Sequence, residues 1–110
     1  MNMLREWLKE QNRNEMSVFS LLYFYETEEE RQEALALLEE SGLSEENGVS
    51  LLPPVNIRRS PKLAASCEIS RTPTFLFFLH EKEVGRVNRP ENGGQLRDIV
   101  ESIREIAAFV

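Results

Sequence analysis

The sequence predicts an α/β fold, with about four strands in one mixed sheet, helices on both faces, and a single domain over residues 1–110. Three observations carry this expectation. Val18 to Tyr25 is almost continuously apolar and rich in aromatics, the pattern of a central strand covered on both faces. Thr74 to Leu79 repeats that pattern, and only a Glu81-Lys82 turn separates it from a further short strand, Glu83 to Asn88, so the two should run antiparallel. Around these runs, apolar residues recur at helical spacing.

Taken in order, Met3, Leu4, Trp7 and Leu8 predict a short amphipathic helix before the central strand. After that strand, Thr27 with Glu30 reads as a capping box, and Glu28, Glu29 and Glu30 sit where a helix dipole favours acids. Ala34, Leu35, Leu37 and Leu38 form the buried stripe of that helix, and Gly42 is its left-handed cap. Ser44 to Gly48 is a polar loop. Val49 to Ile57 is extended but broken by Pro53-Pro54, so it belongs at a sheet edge or shrinks to Val55–Ile57. Ser60-Pro61 opens a short helix through Leu63, Ala64, Ala65 and Cys67. Asn92-Gly93-Gly94 is a loop, and from Gln95 the residues Leu96, Ile99, Val100, Ile103, Ile106 and Ala107 mark a final amphipathic helix. The order α-β-α-β-α-β-β-α then implies two βαβ connections joining parallel strands, followed by a hairpin.

Composition narrows function. Of 110 residues, 41% are hydrophobic and 29% charged, an ordinary globular balance. Thirteen basic against 19 acidic side chains leave a formal charge of −6, which opposes nucleic acid and anionic membrane. One cysteine forms neither a CxxC pair nor an internal disulfide, and one Cys with one His cannot build a Cys/His zinc site. No apolar run approaches the ~20 residues of a membrane span, and the charged N-terminus does not read as a signal peptide. A free thiol without an export signal suits a reducing cytoplasm.

Thr72-Pro73-Thr74 leading into an apolar strand, within this element order, resembles the thioredoxin superfamily. The resemblance runs from Val18 to Ala107. Its strongest part is Val55-Asn56-Ile57, Ser60-Pro61, and Ile69 through Phe78. The superfamily's usual first strand has no counterpart here, which would leave Val55–Ile57 at the sheet edge. The resemblance implies that Pro73 is cis and that Thr72 presents its backbone to an extended substrate. It also places the CxxC position at Glu29-Glu30-Arg31-Gln32, where neither cysteine is present. Glu26, Glu28, Glu29 and Glu30 crowd that position and would repel a thiolate. Dithiol oxidoreductase activity is therefore excluded, and no catalytic residue, metal or cofactor is expected.

The groove implied by the resemblance is formed by Tyr25, Glu29, Arg71, Thr72, Pro73 and Pro90, with the Asn88-Arg89-Pro90 loop at its side. The acidic stretch Glu26 to Glu46 and the basic stretch Arg58 to Arg71 allow two readings. Arg71 either closes an internal salt bridge with Glu29 or Glu30, or forms part of a bipolar docking surface. Cys67 is expected to pack as a small hydrophobe, His80 to sit in an exposed hairpin, and the glutamates at 26–30 to serve as a capped helix start rather than a cation site.

The function expected is a redox-inactive adaptor or assembly chaperone that binds another protein or peptide, as a monomer or weak homodimer. A narrower alternative is the KaiB-type clock proteins, which Ser60-Pro61-Lys62-Leu63-Ala64 and Thr72-Pro73-Thr74 also resemble. An enzymatic alternative is a monothiol or glutathione-linked activity at Cys67.

Overall fold

The computed structural model describes residues 19–80 and 82–108, with side chains as far as residue 105. The helix expected around Met3, Leu4, Trp7 and Leu8 lies outside the described residues, as does part of the Glu81-Lys82 turn. The chain runs β1 (Phe19–Tyr25), α1 (Glu28–Ser41), a 3-10 turn (Glu45–Asn47), β2 (Val49–Leu51) and β3 (Val55–Asn56). It continues through α2 (Pro61–Ser66), β4 (Thr74–Leu79), β5 (Lys82–Asn88) and α3 (Gly93–Ala108).

The sheet has five strands rather than about four. Its path is β2-β1-β4-β5, and β3 also pairs with β1. Both short strands run parallel to β1, with Phe19 opposite Val49 and Phe24 opposite Val55. Pro53 and Pro54 fall between them, because proline has no N–H to give to a ladder. The edge strand of the sequence reading is thus two strands with a break at the prolines.

The sequence reading has two βαβ units; the structure has one, because β4 runs antiparallel to β1. The connection between Asn56 and Thr74 holds only the six-residue α2, which rises about 9 Å, and the chain enters β4 from the end where it left β3. The register agrees, with Tyr25 opposite Asn56 and its neighbour Phe24 opposite Thr74.

Alternation along β1 and β4 divides the core into two clusters. Phe19, Leu21, Tyr23, Phe75 and Phe77 meet Ala34 and Leu38 of α1 and Leu96 and Val100 of α3. Leu22, Phe24, Leu76 and Phe78 meet Leu63, Ala64 and Cys67 around α2, with Leu52 and Val55 from the edge. Because both faces are covered, both strands read as unbroken apolar runs.

The helix signals resolve into defined caps. Thr27 accepts from the Glu30 N–H at 3.2 Å in extended geometry (φ −119°), and the Glu30 carboxylate bonds back to the cap backbone. Such a cap is worth about 1 kcal/mol. Gly42 takes φ 75° and its N–H returns to Glu39 and Leu38 carbonyls. Proline opens α2, but Ser60 makes no side-chain cap bond. The loop at 44–48 contains the 3-10 turn, and α3 begins at Gly93, two residues before the expected start. The end of α2 is fastened by Arg86 of β5, which donates to the Cys67 carbonyl at 2.9 Å and the Glu68 carbonyl at 3.3 Å while pairing with Glu83 at 2.7 Å.

Candidate functional site

The ends of β1, β3 and β4 come together where three loops meet. Ile57 N–H donates to Tyr25 C=O at 2.9 Å, which holds the exit of β3 beside the exit of β1. The Thr72–Pro73 peptide bond is cis. Pro73 C=O accepts from the Arg89 N–H at 2.8 Å, drawing the loop after β5 against the proline. Thr74 Oγ1 bonds to Asn88 Oδ1 at 2.9 Å and also to Arg71 C=O, so one buried hydroxyl links both loops.

These loops enclose an open cavity of about 320 Å³. Glu26, Glu30, Ile57, Ile69, Ser70, Arg71, Thr72 and Arg89 line it. Thr72 is buried, but its backbone N–H and C=O take part in no backbone hydrogen bond among the described residues. An unpaired backbone donor and acceptor at a cavity wall are available to an extended chain.

Of the residues expected in the groove, Arg71 and Thr72 line this cavity. Pro73 is buried behind Thr72. Tyr25 turns to the other side of the sheet, against the α1–α3 cluster, with its ring centroid 6.2 Å from that of Tyr23. Glu29 is exposed, and Pro90 is half-buried beyond Arg89; neither lines the cavity. Ile57, Ile69 and Ser70 do line it, although sequence reasoning assigned them no role. Their signal lay in position alone, since each flanks a segment that the resemblance had already marked.

The salt bridge from Arg71 to Glu29 or Glu30 is not formed. Glu30 spends its carboxylate on backbone, accepting from the Glu26 N–H at 2.7 Å and the Thr27 N–H at 3.4 Å. Glu26 is taken by Arg58, whose Nε lies 3.1 Å from Glu26 Oε2. At the CxxC position, Arg31 grips Glu28 at 2.7 Å and Gln32 donates to the same carboxylate at 3.1 Å. Those bonds, the guanidinium's first, hold the Glu28 carboxyl down at about 2. The helix start is therefore organised around its own acids and carries no thiol.

Cys67 stands apart from this site. It is 3% exposed and packs in the α2 cluster, and burial pushes its thiol up to about 11. At neutral pH it is a protonated, enclosed thiol. We expect no reaction with a thiol reagent such as Ellman's at pH 8 until the chain is unfolded; rapid stoichiometric labelling of the folded protein would contradict this. The shift also has a sign for stability. A raised folded pKa contributes stability below the unfolded thiol pKa of about 9 and loses it as pH rises toward 11, so denaturation midpoints should fall across that window and fall less in Cys67→Ala. His80 is exposed at the end of β4, at φ 59°. Among the described residues, no cluster of His, Cys, Asp and Glu could hold a metal, and no helix is long and apolar enough to cross a membrane.

Solved structures resemble this arrangement. A mutant thioredoxin from Halobacterium salinarum superposes with a TM-score of 0.70 at 20% identity, over 86% of this chain and 80% of that one. The chain has the thioredoxin fold. Thioredoxin O2 from Arabidopsis thaliana, in its oxidised state, gives a TM-score of 0.62 at 18% identity, covering 93% of this chain and 90% of that one. Fasciola hepatica thioredoxin gives 0.64 at 20%, over 86% and 89%. No family model matches the chain, and no curated protein matches it in sequence. On this thioredoxin fold there is a single cysteine, so dithiol exchange, which needs two, is not available.

Proposed function

We propose that this thioredoxin-fold protein is a binding module, an adaptor or assembly chaperone that holds an extended segment of another protein at the Thr72 wall. The observation that carries this reading is the Thr72 backbone, unpaired among the described residues, at the mouth of a cavity of about 320 Å³ that no thiol lines. A strand added there gains main-chain hydrogen bonds, and the half-buried Ile57 and Ile69 beneath it offer an apolar seat. The buried, protonated Cys67 weighs against the thiol-enzyme alternative.

The test uses a displayed library of random peptides, selected on the folded protein and in parallel on Ser70→Trp. Ser70 is exposed and lines the cavity, so tryptophan there obstructs the cavity without entering the core. Peptides enriched on the wild type and lost on Ser70→Trp, with circular dichroism unchanged, support the reading. No enrichment, or the same peptides on both proteins, would overturn it.

A further inference from the structure

We infer that the segment held at Thr72 is acidic: an apolar residue seated over Ile57 and Ile69, flanked by Asp or Glu side chains that meet Arg71 and Arg89. This rests on the docking reading above and specifies its partner.

The groove has positive charge left over. The cavity is lined by two carboxylates and two guanidinium groups, which on paper cancel. They do not cancel toward a ligand, because Arg58 offsets Glu26 and Glu30, though still charged, turns its carboxylate to backbone N–H groups, which leaves a net positive balance. Glu30 is bound to the backbone N–H groups of Glu26 and Thr27, and Glu26 is paired with Arg58. Neither Arg71 nor Arg89 has a side-chain hydrogen bond or ion pair among the described residues, where the ion-paired arginines are Arg31, Arg58 and Arg86. The groove therefore presents cationic groups although the chain as a whole carries −6.

Arg89 adds an independent observation. It sits at φ 50°, a left-handed conformation in which glycine or asparagine is more at ease. Its N–H is spent on Pro73 C=O, so the loop geometry uses only its backbone. The guanidinium is not needed for that turn, and it stands at the cavity with no hydrogen bond among the described residues. Planar guanidinium donors match a carboxylate two bonds at a time. Acids on both sides of the docked residue would use both arginines and repel the acidic face of α1, fixing the peptide over the groove.

Fluorescence anisotropy with three labelled peptides tests this: Gly-Glu-Leu-Glu-Gly, its Gln-Leu-Gln analogue and its Lys-Leu-Lys analogue. We expect the glutamate peptide to bind about tenfold tighter than the glutamine one, with the advantage shrinking at high salt. In the double variant Arg71→Glu, Arg89→Glu, the order should reverse in favour of the lysine peptide, a gain that a misfolded protein cannot show. Equal binding of the glutamate and glutamine peptides would overturn the acidic preference while leaving the groove reading in place, as would reversal failing in a variant of unchanged circular dichroism. Binding of none of the three also overturns it; with no peptide enriched from the random library either, the docking reading falls as well.

Discussion

Gly93→Ala is expected to destabilise the protein by about 3 kcal/mol, more than helix propensity or surface position would suggest. A Cβ at this residue would lie 2.5 Å from Ser41 N, 2.6 Å from Leu37 O and 2.7 Å from Glu40 Cβ. Two of those atoms are backbone in the last turn of α1. That turn is held in place by burial, since Leu38 packs in the core cluster and Ser41 is enclosed, and it is stiffened by Ser41 Oγ, which donates to Leu38 C=O at 2.6 Å and accepts from the Leu43 N–H at 3.1 Å. Glu40 also reaches across to accept the Gly93 N–H. The first turn of α3 and the last turn of α1 are thus in backbone contact, which only a residue without a side chain permits. Gly94→Ala is the control. Its Cβ would meet only the Asn92 side chain, at 3.1 Å, so we expect a change within about 1 kcal/mol. Urea denaturation of the two variants decides the matter, and equal midpoints would show that the contact gives way at little cost. Peptide binding should weaken too, since α3 follows directly on the loop that carries Arg89.

Phe77→Ala should cost about 3–5 kcal/mol, a large share of the roughly 5–15 kcal/mol that holds a domain of this kind together. Phe77 is wholly buried at the centre of β4, opposite Leu21 of β1. Its ring meets Phe19 edge-on, with centroids 6.5 Å apart and planes at 82°. Truncation removes the transfer free energy of the ring, its aromatic contact and the support it gives to Ala34, Leu38 and Val100. Phe77→Leu keeps most of that volume and should lose far less. Calorimetric melting of both variants checks the expectation. A loss below about 1 kcal/mol for alanine would mean that the cluster repacks around the gap.

The parts of the fold legible in the sequence are those encoded within a few residues. Val18 to Tyr25 and Thr74 to Leu79 announced buried strands because both faces are covered. Thr27, Glu30 and Gly42 announced the bounds of α1 because capping bonds join residues three and four apart. The cavity was half legible. Thr72 and Arg71 were marked by resemblance around Pro73, but Tyr25 was misplaced because strand alternation sends it to the opposite face.

What the sequence by itself determined, then, is the class of fold, the order of its elements from β1 onward apart from the split of the edge strand at Pro53-Pro54, and the lack of a second thiol. These follow from periodicity, local capping and a count of cysteines. Only the tertiary structure decided the direction of β4, the contact at Gly93 and the pairing of charges around Thr72. Each depends on residues far apart in the chain. Arg58 reaches Glu26 across 32 positions, and Glu40 reaches Gly93 across 53. Any exposed arginine can in principle pair with any nearby acid, so composition shows that charges exist but not which are spent. The folded chain spends Glu26 and Glu30 within its own framework. Arg71 and Arg89 are left facing the cavity, because the loops that carry them are placed by the turn at Pro73 and not by their own charge.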